Sequence, residues 1–213
     1  MNIIGIYRLP ALDNLQLCDV NEAMEPCCTK HVIGNVNWPA AFPYQPTCTF
    51  VMAYTAKAIY VHFFSHGLDL RATNALNQSA VAQDSCVEFF VQLPGNPEYW
   101  NFEFNCIGAV NASHRVQRDN PVRLNDSQIQ SIKRWASCGN EPFEERDGLH
   151  SWELTVAIPF ELLGMDVECD HILGNLYKCG SKTRHPHYLS WSPIKTETPD
   201  FHCPRYFGRI NLR

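Results

Sequence analysis

Asp84-Ser-Cys-Val-Glu88-Phe-Phe-Val-Gln-Leu93, Pro94-Gly-Asn-Pro97 and Glu98-Tyr-Trp-Asn-Phe-Glu103-Phe-Asn105 read as two strands joined by a tight turn. Aromatic and β-branched residues dominate both arms, and the Pro/Gly/Asn cluster between them supplies turn chemistry. Successive side chains of a strand point to opposite faces. Val87, Phe89 and Val91 therefore share one side of the first arm, opposite Asp84, Cys86, Glu88 and Phe90. In the second arm Trp100, Phe102 and Phe104 stand opposite Tyr99, Asn101, Glu103 and Asn105. If Leu93 pairs with Glu98, Glu88 lies directly across from Glu103. Cβ atoms of such a pair sit about 4.5–5.5 Å apart, where like charges repel. The pairing implies a polar face that awaits an Arg, a metal ion or a hydroxyl-rich ligand. A slip of one residue would undo it.

The same alternation extends along the chain. Short strands are expected over 2–8, over 48–55 and 58–65 as a second hairpin, and over 109–117 after the Ile107-Gly108 turn. Three residues in that turn would set Arg115 opposite Asn101 and diagonal to Glu103. Ile129–Ser137 fits a strand or an amphipathic helix, with the strand preferred, and is followed by the clean alternation of Trp152, Leu154, Val156 and Ile158. Pro159 opens a helical turn over Phe160–Leu163, and Gly164 closes it. Strands over 173–179, 188–191 and 206–212 complete the set. The expected fold is all-β: one domain spanning 1–213, a β-sandwich or jelly roll of about ten antiparallel strands with a single helical turn. Residues 9–46, punctuated by five prolines, form an irregular lead-in wrapping the sheets.

Composition narrows the classes. The chain has 213 residues, 45% of them hydrophobic, 12% aromatic and only 18% charged, with a formal net charge of −5. That charge argues against nucleic acid as a partner, and no apolar run is long enough to span a membrane. The first residues lack a basic, apolar leader, which points to a cytoplasmic protein with mostly reduced thiols among its ten cysteines. Cys27-Cys28-x-x-His31, Cys169-Asp170-His171 and His202-Cys203 lack the paired spacing of structural zinc sites. No G-x-S-x-G or H-E-x-x-H motif is present. No cofactor is expected, although Asp119, Asn120, Asn125 and Asp126 offer the oxygen ligands that calcium prefers. Turn-forming Asx residues account for the same pattern.

Two chemistries fit the carboxylate pair. Carboxyls about 5–5.5 Å apart suit a retaining glycoside hydrolase, with Glu88 and Glu103 as the pair. The same groups also accept hydrogen bonds from sugar hydroxyls, with Trp191 or Tyr99 as a ring on which a sugar could stack. Arg115 and Arg184 are the candidate cations for the pair.

Asp84-Ser-Cys-Val-Glu-Phe-Phe90 with Tyr99-Trp-Asn-Phe-Glu-Phe-Asn105 resembles the core hairpin of the family 9 carbohydrate-binding modules. Trp152-Glu-Leu-Thr-Val-Ala-Ile-Pro-Phe160, Leu163-Gly164 and Phe201-His-Cys-Pro-Arg-Tyr-Phe-Gly208 are similar to later blocks of that superfamily. The resemblance implies a sandwich that binds sugar without catalysis, as an accessory to polysaccharide breakdown. It makes Glu88 and Asn105 sugar contacts, with Asn101, Glu103, Arg115, Arg184, Tyr99 and Trp191 as further candidates. Two positions depart from it. Glu103 stands where the family carries Arg, and Val81 and Ala82 stand where its first stacking Trp lies.

Overall fold

The computed structural model of the protein describes residues 2–166 and 168–213. In chain order its elements are β1 (Ile3–Arg8), α1 (Val20–Met24), β2 (His31–Val32), β3 (Asn35–Val36), β4 (Thr47–Tyr54), β5 (Ala58–Ala72), β6 (Cys86–Gln92), β7 (Tyr99–Asn105), β8 (Val110–Arg115) and β9 (Val122–Arg123). There follow α2 (Asp126–Ser131), β10 (Lys133–Ala136), β11 (Phe143–Pro159), α3 (Phe160–Leu163), β12 (His171–Gly180), β13 (His187–Ser190) and β14 (Gly208–Leu212).

The strands form a sandwich whose two sheets share β1. Ile3–Ile6 of β1 run parallel to β14, whereas Tyr7 and Arg8 run parallel to β4. The front sheet runs β9-β8-β7-β6-β12-β14-β1, with β13 beside β12 and β3 beside β13. The back sheet runs β10-β11-β5-β4-β1, with β2 beside β4. Between them lies the main core, in which Val87, Phe89, Val91, Trp100, Phe102 and Phe104 meet Phe50, Val61, Phe63, Leu154 and Val156. These are the alternate residues that the hairpin pattern assigns to one face.

Each sheet is also covered on its outer side. On the back sheet Val51, Ala53, Ala58, Tyr60 and Ala157 pack under Leu12, Val20 and Met24 of the lead-in. On the front sheet Cys86, Phe90, Tyr99, Tyr177 and Cys179 pack under Trp38, Ile194, Phe201 and Phe207. Tyr177 stacks on Phe201 with centroids 4.1 Å apart and planes 8° apart, and its hydroxyl donates to the Phe201 carbonyl at 3.1 Å.

Several expectations change. The strands number fourteen among the described residues, mostly because β2, β3 and β9 are two-residue pairings too short for alternation to reveal. The sheet is mixed, since β1 is parallel to both neighbours. Three short α-helices are present among the described residues, not one turn. Ile129–Ser137 is not a single strand: α2 occupies its first part and β10 follows. Asn125 caps α2, accepting from the Gln128 amide at 3.0 Å while the Gln128 side chain returns to the Asn125 amide at 2.9 Å. That reciprocal cap satisfies two of the amides a helix start leaves free. Pro159 ends β11 in extended conformation and so flanks α3, whereas Gly164 closes it at φ 63°, as its lack of a Cβ permits.

Candidate functional site

The outer face of the front sheet carries the polar row expected of the hairpin. β6 and β7 pair with Glu88 opposite Glu103, Phe90 opposite Asn101 and Cys86 opposite Asn105. The turn from β7 to β8 is centred on Ile107, one residue earlier than expected, with Phe104 opposite Val110 and the Asn105 amide donating to the Ala109 carbonyl. Asn111 therefore faces Glu103, Ser113 faces Asn101, and Arg115 faces Tyr99 in place of Asn101. The shift is by two residues, so the face is preserved.

Hydrogen bonds join this row into a chain. Arg115 Nη2 donates to Ser113 Oγ at 2.6 Å, and Ser113 Oγ donates to Asn101 Oδ1 at 2.8 Å. Asn101 Nδ2 then donates to Glu103 Oε1 at 2.9 Å, while Asn111 Nδ2 donates to Glu103 Oε2 at 3.0 Å. Both carboxyl oxygens of Glu103 are thus oriented, and each keeps a lone pair for a further donor. Burial pushes the Glu103 carboxyl above its usual range, against the opposing pull of Asn111, Arg115 and Asn101. Arg115 also donates to the Arg118 carbonyl at 2.7 Å, and its Nε is buried without an acceptor.

Glu88 lies deeper. Its carboxyl receives a hydrogen bond from Cys179 Sγ at 3.1 Å, and burial pushes it well up, with Cys179 and Glu103 adding to the rise. A charged carboxylate so placed lacks the partner that burial of an ion demands. Neither Arg115 nor Arg184 pairs with it. Arg184 is exposed, with its guanidinium on Asp147 at 2.5 Å and its amide on Glu145. The cation expected from Arg184 is therefore committed to β11.

Three other candidates have structural roles. Asn105 is fully buried: its amide donates to the Asn74 carbonyl at 2.8 Å and to Asp84 Oδ2 at 3.0 Å, and its Oδ1 accepts from the Ala109 amide. Asp84 in turn holds the 73–74 backbone and the Arg71 guanidinium. Tyr99 is buried beneath Phe207, its hydroxyl 3.1 Å from His202 Nδ1, so it presents no open ring. Trp191 lies in the core between the sheets, edge-on to Phe50. A Cβ at Gly208 would collide with its ring. Asn111, Ser113 and Cys179 were not singled out by the sequence. The first two follow once the β7–β8 turn is centred on Ile107. Cys179 has no local signal, since it reaches Glu88 from a strand 91 residues away.

The sequence model of carbohydrate-binding family 9 matches residues 20–212. The chain belongs to carbohydrate-binding family 9. A crystal structure from Bacteroides uniformis ATCC 8492, of a protein whose carbohydrate binding is itself an assignment, is 33% identical and superposes with a TM-score of 0.93 over 100% of this chain and 99% of that one. Two further similar structures are family 9 modules from Caldicellulosiruptor kristjanssonii. One, in complex with cellotriose, gives a TM-score of 0.60 at 10% identity over 100% of this chain and 94% of that one. The other, in complex with glucose, gives 0.59 at 12% identity over 100% and 96%. At those identities they bear on the fold alone. No curated protein matches the chain in sequence.

Family 9 membership identifies the chain as a carbohydrate-binding module, and the hydrolase alternative finds no support. The geometry agrees, because a catalytic pair must flank a substrate. Glu88 is instead buried against Cys179, so the two carboxyls cannot flank one. No helix among the described residues is long and apolar enough to cross a membrane.

Proposed function

We propose that this family 9 module binds a saccharide, without turnover, on the outer face of β7 and β8 through Glu103, Asn111 and Arg115. The observation that supports this most directly is the hydrogen-bond chain Arg115–Ser113–Asn101–Glu103–Asn111. It fixes a carboxyl and a guanidinium on one face before any ligand arrives, so little rotamer freedom is lost on binding. Sugar hydroxyls are both donors and acceptors; Glu103 accepts from them, while Asn111 and Arg115 can offer both polarity types between them.

Recognition leans on these polar groups. The tryptophan expected to stack on the sugar is in the core, and Tyr99 is covered, so no clamp between two rings forms from them. Asn101 and Ser113 position Glu103 and Arg115. Asn105 and Asp84 hold the loop beside the face. A role as accessory to a polysaccharide-degrading enzyme fits such a module.

Glucose and cellotriose are the first probes, because they are what the two Caldicellulosiruptor modules hold. Titration calorimetry is expected to show binding of a saccharide from a panel that includes both. Glu103→Ala is expected to weaken it by about 2 kcal/mol, as loss of a charged hydrogen-bonding group does. Arg115→Ala should act in the same direction. Saccharide binding unchanged in both variants would move the site off this face, and release of reducing sugar that vanishes in Glu103→Gln would overturn a binding-only module.

A further inference from the structure

We propose that Cys86, Glu88 and Cys179 form a buried site for a zinc-class divalent cation beneath the outer face of the front sheet. The proposal stands apart from the saccharide reading. Cys86 and Cys179 are directly opposed on β6 and β12, and Glu88 follows Cys86 by two residues on the same face of β6. The two Sγ atoms and a Glu88 oxygen all lie within 4.8 Å of one another, with Cys179 Sγ 3.1 Å from Glu88 Oε1. A tetrahedral zinc ion, with bonds of about 2.3 Å to sulfur and 2.0–2.2 Å to carboxylate oxygen, sets such ligand atoms roughly 3.3–3.8 Å apart. The observed spacing, 3.1 Å for one pair and no more than 4.8 Å for the others, is compatible with that range, and all three ligands stand on paired positions of the sheet.

The ligand chemistry selects the ion. Two thiolates with one carboxylate favour a borderline-soft cation such as Zn²⁺ over Ca²⁺ or Mg²⁺, which prefer oxygen alone. The electrostatics call for a cation as well. Glu88 and Glu103 are opposed on adjacent strands, and no Arg or Lys forms a salt bridge with either among the described residues. Cysteine thiols could serve simply as small apolar filling, but that role does not require a carboxyl 3.1 Å from one of them. On binding, each thiol loses its proton to solvent as its sulfur bonds the metal, and Glu88 binds as the carboxylate. The Ala82 carbonyl lies 3.8 Å from Cys179 Sγ. A water or that carbonyl would supply the fourth ligand.

The test uses the full chain, purified under reducing conditions and loaded with Zn²⁺ or Co²⁺. Elemental analysis is expected to find stoichiometric zinc, and the cobalt form should show thiolate-to-metal charge transfer with tetrahedral ligand-field bands. Cys86→Ser and Cys179→Ser should each weaken Zn²⁺ binding by more than about a hundredfold, beyond the roughly 10–100-fold cost of losing a group that merely orients a ligand. Glu88→Gln should keep the sulfur charge transfer but alter the ligand-field bands. Alkylation during partial denaturation of the unsubstituted chain, mapped by mass spectrometry, should show Cys86 and Cys179 protected by Zn²⁺ but not by Ca²⁺. A folded chain that binds no zinc overturns the site. So does a cobalt spectrum retained in the Cys86→Ser, Cys179→Ser double variant, or recovery of the two residues as a disulfide that zinc does not prevent.

Discussion

The two outer faces of the sandwich are covered by the same kind of chain and for different ends. Behind β4, β5 and β11, the lead-in lays Leu12, Val20 and Met24 over small apolar residues and one tyrosine. That cover is ordinary hydrophobic burial, which contributes about 25 cal/mol per Å² of apolar surface removed from water. In front, the segments around Trp38 and 194–207 bury rings, but the face beneath them also holds Asp84, Glu88, Asn101, Glu103 and Asn105. Buried carboxyls cost free energy unless each is paired and hydrogen-bonded. A face retained for stability alone would carry the back sheet's composition. The front sheet's departure from it marks where the molecule does something.

Asp84→Ala should show the largest effect on that contrast. Asp84 accepts from the Thr73 and Asn74 amides and from Asn105, and stands 3.3 Å from Arg71 Nε. Its loss leaves buried donors and a guanidinium unpaired, so chemical denaturation should report a destabilisation of about 4 kcal/mol, with saccharide binding lost too. Met24→Ala on the opposite side should cost about 3 kcal/mol through the cavity it leaves, with affinity for saccharide unchanged. Loss of binding in that variant would erase the distinction between the faces.

A pH scan separates them further. Burial lowers His62 of the back sheet from 6.5 to about 4, with Lys30 adding to the shift. A depressed folded value means its contribution is fully present above pH 6.5 and is lost as pH falls toward 4. The unsubstituted chain should therefore lose about 3 kcal/mol more stability than His62→Asn between those limits. Glu88 has the opposite sign, since burial raises it. Its contribution is full below its ordinary value near 4.5 and is lost as pH rises through the raised one. In metal-free protein at pH 8, Glu88→Gln should accordingly raise stability slightly, by on the order of 1 kcal/mol. Thermal denaturation across pH checks both, and a loss of stability in metal-free Glu88→Gln would remove the cost assigned to that carboxyl.

The hairpin shows how far a sequence carries this kind of argument. Its register and the division of its faces follow from period-2 alternation and one turn, and both hold to the residue. Strand length was less legible. β5 continues from Ser65 to Ala72 through His66, Gly67 and Asp69, which resemble a loop in composition. It is a strand because Phe143–His150 of β11 pair with it, with bulges on the way. A helix was the less favoured of two readings for 129–137, yet the start of α2 was legible: Asn125 and Gln128 stand three residues apart, as a reciprocal cap requires. In the site, Glu103 and Asn101 could be read from one hairpin. The partners of Glu88 and the fate of Trp191 could not, because Cys179, Phe50 and Gly208 come from distant segments and only packing brings them together.

β1 belongs to both sheets, and that sharing bears on how the molecule is made. One of its partners, β4, begins about forty residues later, but the other, β14, begins at Gly208. During synthesis Tyr7 and Arg8 can find the back sheet early, while Ile3–Ile6 wait beside an incomplete front sheet. Pairing so distant in sequence is slow to form, and an unpaired apolar strand is open to other chains meanwhile. The seam that closes the sandwich is thus the last part of it to be sewn, and the one through which a half-made chain would aggregate.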